Sequence, residues 1–76
     1  MLHIGNQIKQ VFDLQPKSHN IEWFAARLNC KRANVYNIFN RQTIDTELLY
    51  HISQVLNHDF FADISDELSA CKAQAV

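Results

Sequence analysis

Between Asn29 and Thr43 the chain carries Lys31, Arg32 and Arg41 together with Asn34, Tyr36, Asn37 and Asn40, and no carboxylate. The chemistry of this set is hydrogen bonding and charge pairing with a polyanion that has a readable edge. A guanidinium matches the two acceptors of guanine, a carboxamide matches adenine, and a lysine pairs with phosphate. A helix face that only meets solvent more commonly carries mixed Glu and Lys pairs, so the missing acids set this stretch apart.

Other chemistries lack the residues they need. His3, His19, His51 and His58 do not fall at zinc-like spacings with one another or with Cys30 and Cys71. One glycine leaves no Gly-rich phosphate loop. No carboxylate pair or Ser/His/Asp set stands out, and 76 residues are few for an enclosed pocket. The expectation is therefore no enzyme, no catalytic residues, no cofactor, no metal and no small-molecule substrate. Cys30 precedes Lys31-Arg32, a setting that can lower a thiol pKa, but a half-buried turn residue is the commoner role.

The elements that must hold the basic stretch read as helices. The chain is 47% hydrophobic and 20% charged with one glycine and one proline, which leaves little material for hairpins. Ile4, Ile8, Val11 and Phe12 form one apolar stripe over about His3 to Leu14, closed by Pro16. Asn20 is a good N-cap for a second helix with Ile21, Phe24, Ala25 and Leu28 inward, and Asn29 suits a left-handed stop. A third helix runs from about Lys31 to Phe39, with Val35, Ile38 and Phe39 inward. Asp45, or Thr43, caps a fourth carrying Leu48, Leu49, Ile52, Val55 and Leu56, which ends at Asn57. Asp59 caps a short fifth helix with Phe60, Phe61 and Ile64. The expected fold is an all-α, compact five-helix bundle centred on Ile8, Phe12, Phe24, Leu28, Val35, Ile38, Leu49, Ile52 and Leu56. Residues 1–64 form the domain. The weakly periodic tail, 65–76, is expected to be a frayed helix or coil.

Charge divides along the chain. Residues 1–41 carry six cations (Lys9, Lys17, Arg27, Lys31, Arg32, Arg41) against Asp13 and Glu22, a net +4. Residues 42–76 carry Lys72 against six acids, a net −5. Such asymmetry points to a polyanion partner for the first half. No stretch is apolar enough to span a bilayer, the first residues lack a signal-peptide pattern, and two distant cysteines do not suggest a disulfide scaffold. A cytoplasmic setting is expected, nucleoid-associated if the source is prokaryotic, with no membrane partner.

Two short helices that cross steeply need a small residue at the crossing, a turn residue tolerant of positive φ, and apolar residues facing back from the second helix. Ala25, Asn29, Val35 and Ile38 supply these within Asn20–Asn40. With them the segment resembles the bihelical unit of λ-repressor-like (Xre-type) helix-turn-helix proteins, which show alanine, glycine, valine or isoleucine, and leucine or isoleucine at these places. The likeness extends from Ile4-Gly5-Asn6-Gln7-Ile8-Lys9 through Glu47-Leu48-Leu49 and Val55-Leu56-Asn57 to Phe60-Phe61, covering roughly residues 3–64. Three positions depart from the pattern: Asn29 stands for the turn glycine, the Asn40–Asp45 loop looks short, and Ile21 replaces a phosphate-touching glutamine.

The resemblance implies sequence-specific binding of double-stranded DNA by a transcriptional regulator, with residues 31–40 as a recognition helix in the major groove. The implied contacts are Lys31, Arg32, Ala33, Asn34, Tyr36, Asn37, Asn40 and Arg41, with Asn20 at the start of the preceding helix. Arg32, as second residue of the recognition helix, is expected to be the main reader. Tyr36 shares its face, and Asn37 lies about 140° round. A homodimer on two half-sites is expected. Trp23 and Tyr50 fall on the outer sides of their helices, Trp23 covering the core edge or serving self-association. Two alternatives remain: the DNA-binding antitoxin of a toxin–antitoxin pair, and a protein-interaction module using Trp23, Tyr36 and Phe60-Phe61. The net charge of −1 favours the interaction module, and the acid-free helix favours DNA.

Overall fold

Four of the five helices start where a side chain can take up an amide that the helix itself leaves free. The structure, a computed structural model, describes the backbone of residues 3–75 and the side chains of residues 3–70. It is an all-α bundle of five helices: α1 (Ile4–Asp13), α2 (Ile21–Arg27), α3 (Arg32–Asn40), α4 (Thr46–Leu56) and α5 (Phe60–Ala75). No described residue is in a strand. No helix is long and apolar enough to cross a membrane.

Side-chain caps begin four of the five. His3 Nδ1 accepts from the Asn6 amide at 3.1 Å, and Asn20 Oδ1 from the Trp23 amide at 2.9 Å. Asp45, rather than Thr43, caps α4 by accepting from the Leu48 amide at 2.7 Å, and Asp59 accepts from the Ala62 amide at 3.0 Å. Two asparagines end helices in the left-handed region, Asn29 at φ 55° and Asn57 at φ 53°. At the first, the Cys30 amide donates to the Ala25 carbonyl and the Asn29 amide to the Ala26 carbonyl. At the second, the His58 and Asn57 amides donate to the Ser53 and Gln54 carbonyls. Both are Schellman stops built on asparagine in place of glycine.

Phe24, Phe60, Ile8, Ile52 and Val35 are the largest fully buried side chains, and Ile4, Ala25, Ile38, Phe39, Leu49 and Leu56 complete the core. Phe24 stacks on Phe12 at 5.3 Å and lies 6.2 Å from Phe39, which ties α1, α2 and α3 together. Phe12 and Leu28, expected at the centre, are half-buried and pack against the core from its edge. Ile4, Phe39 and Phe60 take the deeper places instead, all three buried, with α1 set against the C-terminal end of α3.

The sole glycine sets the approach of α1 to α3. A Cβ on Gly5 would collide with the Phe39 carbonyl oxygen and lie 2.6 Å from those of Ile38 and Arg41. The Gly5 amide donates to the Arg41 carbonyl at 2.9 Å and the Ile4 amide to that of Gln42 at 3.2 Å. Two first-turn amides of α1 are thus satisfied by the chain leaving α3, at a separation only glycine allows.

Two boundaries differ from the sequence reading. Lys31 is the cap of α3, with no side-chain capping bond, so Arg32 is the first helical residue and not the second. α5 does not stop near Ile64 but continues to Ala75, so the residues after Ser65 extend a helix. The side chain of Cys71 and the whole of Val76 lie outside the described residues.

Candidate nucleic-acid interface

α3 buries Val35, Ile38 and Phe39 and turns every other residue outward. At about 100° per residue, the direction opposite those three falls among Ala33, Asn37 and Asn40. Arg32 and Tyr36 flank that line on one side, Asn34 and Arg41 on the other. The helix therefore presents a small methyl and two carboxamides at its crest, with a cation along each shoulder.

Local structure fixes these groups to different degrees. Tyr36 is 49% exposed, and its ring stands edge-on to Phe39 at 6.5 Å and 81°, which steadies the aromatic body and leaves the phenol free to project. Arg32 lies 3.6 Å from Glu22, with the two side chains 63% and 72% exposed. So exposed a pair contributes at most about 1 kcal/mol and is readily exchanged for a better anion. Lys31 and Arg41 form no ion pair among the described residues. Asn34, Asn37 and Arg41 line a depression of about 260 Å³ together with Leu28, Cys30, Ile38 and Leu48.

Burial pushes the Cys30 thiol up from its ordinary range, the reverse of the lowering that the neighbouring Lys31 and Arg32 suggested. A raised thiol pKa is the opposite of what a reactive sensor needs.

Asn20 belongs to another element. Its Oδ1 accepts from the Trp23 amide, which leaves its side-chain NH2 group free to donate to a ligand. Trp23 is half-buried against the core, stacked on His19 at 3.8 Å and 4°, with the Arg27 guanidinium 5.7 Å from its ring. It covers the core edge. The remaining cations of the basic half divide likewise: Lys9 is paired with Asp13 at 2.9 Å, whereas α3 and its flanks keep theirs toward solvent.

Two residues that matter here escaped the sequence reading. Glu22 reaches Arg32 only because α2 and α3 cross, and no spacing rule signals that. Gly5 fixes α1 against the C-terminal end of α3, and its signal was visible as an isolated glycine inside an apolar helical pattern.

Neither a protein-family model, nor a curated protein, nor a solved structure matches this chain. The fold and the face together define a small all-α bundle consistent with the broad helix-turn-helix class. The two helices α2 and α3, joined through Asn29, form its bihelical unit.

Proposed function

We propose that the protein binds double-stranded DNA sequence-specifically as a transcriptional regulator, laying α3 in the major groove. The observation that carries this reading is the composition of one surface: seven outward residues of α3 and its flanks that can bond bases or phosphates, and no acid among them. Lys31 and Arg41 hold the two strands' phosphates. Asn37 and Asn40, at the crest, bond base edges, and Ala33 leaves room for a thymine methyl. Arg32 leaves Glu22 to reach a guanine or a phosphate at the helix N-terminal end, the end that enters the groove in this fold class.

Selection of duplexes from a randomised pool, with the intact protein and with the Asn37→Ala and Arg32→Ala variants, tests the reading. A preferred site should emerge, and each variant should lose about 1–3 kcal/mol of discrimination at one base pair with its fold intact. A pool that stays random with the intact protein contradicts the proposal.

The interaction-module alternative has one observation in its favour, an apolar stripe on α5 where Phe61 and Leu68 are 37% and 54% exposed. That stripe lies on a different element from the α3 face, but of the residues expected for such a module Phe60 is fully buried and Tyr36 is shared with the DNA reading.

A further inference from the structure

The turn between α2 and α3, the length of α3 and the first turn of α4 meet around the depression of about 260 Å³. Its lining is of two kinds. Leu28, Cys30 and Leu48 are half-buried and Ile38 is buried, whereas Asn34, Asn37 and Arg41 are exposed and bring two carboxamides and a guanidinium to the same space. Asn34, Asn37 and Ile38 fall within about 100° of arc on α3, and Arg41 is the cap that ends it.

No carboxylate belongs to these walls. Among the described residues Arg41 forms no ion pair, and Asp45, the nearest acid along the chain, accepts from the Leu48 amide at 2.7 Å. Asp45 and Glu47 line a separate depression that shares only Leu48 with this one. Burial holds the Cys30 thiol in its neutral form at neutral pH, so it puts no negative charge beside the guanidinium. One cation therefore stands among neutral donors and hydrocarbon. Size narrows the occupant further. Pockets for drug-sized molecules run from about 300 to 1,000 Å³, so this one suits a single ring or a short branched chain. A guanidinium binds a carboxylate through two parallel hydrogen bonds, and a carboxamide NH2 can donate another.

We propose that this depression binds a small monocarboxylate with an apolar body. Its carboxylate sits on Arg41 and Asn37, and its body lies over Leu28, Ile38 and Leu48. Arg41 and Asn37 are also the groups assigned to a phosphate and a base edge, so occupancy and duplex binding exclude each other. That exclusion rests on the DNA reading, and the site itself does not.

Phenylacetate is the probe, titrated into the isotope-labelled full chain without DNA and followed by heteronuclear NMR. Saturable shifts should centre on Cys30, Asn34, Asn37, Arg41 and Leu48 and be half-complete at about 1 mM, an affinity within reach of a molecule this small. Phenylacetamide, which keeps the ring without the charge, should bind at least tenfold more weakly. So should acetate, which keeps the charge without the ring. Arg41→Gln should weaken phenylacetate at least tenfold, and Asn34→Phe, which fills the depression from an exposed helix position, should abolish its binding. Lys31→Gln, which removes a cation outside the depression, should leave it unchanged. Absence of saturable shifts at about 20 mM overturns the site. Equal binding of phenylacetamide or of acetate overturns its chemistry, and an undisturbed Asn34→Phe variant overturns its place even should Arg41→Gln not fold. Fluorescence anisotropy with duplex DNA then reads the exclusion. Phenylacetate at ten times its half-saturation should weaken duplex binding about tenfold relative to acetate at equal concentration. A duplex that stays bound while the depression is saturated overturns the exclusion. A duplex that never binds refutes the DNA reading and the exclusion with it, while the NMR titration alone decides the site.

Discussion

Gly5→Ala separates two effects that usually act together at a helical glycine. Alanine favours the helix by about 0.8–1 kcal/mol, but here its Cβ meets backbone carbonyls of α3 that cannot turn aside. The steric term wins, and the variant should lose about 1–3 kcal/mol, read as a lower urea midpoint at unchanged slope. Asn29 poses the converse case. At φ 55° alanine should cost about 1–2 kcal/mol, whereas glycine should be close to neutral in the same measurement. Cys30 carries a pH prediction. Because burial raises its thiol pKa, less thiolate is present at any given pH, and the alkylation profile shifts to higher pH. In a Cys71→Ser background it should react with iodoacetamide more slowly than a free cysteine at pH 8, and an equal or faster rate contradicts the burial account.

At the scale of elements, what could be read from the sequence is what leaves a local signature. The caps at Asn20, Asp45 and Asp59 and the stops at Asn29 and Asn57 were legible because each depends on one side chain's own geometry. The inward faces of α3 and α4 were legible because burial imposes the helical period. The continuation of α5 past Ile64 was not, because periodicity reports burial and from Ile64 to Ala70 only Glu67 is even half-buried while the segment remains helical. Depth within the core was also hidden. Phe24 and Leu28 lie on the same face of the bihelical unit, yet only Phe24 is fully enclosed. Phe24→Ala should therefore cost about 3–5 kcal/mol, and Leu28→Ala should fall at or below the low end of the ~2–5 kcal/mol seen for enclosed leucines. Thermal unfolding of the two variants, side by side, measures the order. Of the candidate site, the residue types on α3 were legible, but their ranking was not. Which residue stands at the crest depends on where Val35, Ile38 and Phe39 find their core, and Arg32's pairing with Glu22 depends on the crossing of two helices.

At the scale of the molecule, and among the described residues, Lys31 and Arg41 flank α3 without an ion pair, Lys17 and Arg27 are likewise without one elsewhere in the first half, and six of the eight acids fall in the second half of the chain. A net charge of −1 thus combines a first part of the chain at +4 with a second at −5, and on the proposed reading the acid-free face of α3 meets the polyanion. Binding carried by that face must release counterions from DNA, about 0.9 for each phosphate neutralised. The most direct test is the salt dependence of duplex binding, followed by fluorescence anisotropy for the intact protein and for Lys31→Ala/Arg41→Ala. The DNA reading predicts binding at low salt that falls steeply as salt rises. It also predicts a logarithmic slope shallower by about two in the double variant, whose melting temperature stays unchanged. Absence of binding at low salt, or a double variant with the same slope as the intact protein, contradicts the assignment of α3 as a DNA-binding helix.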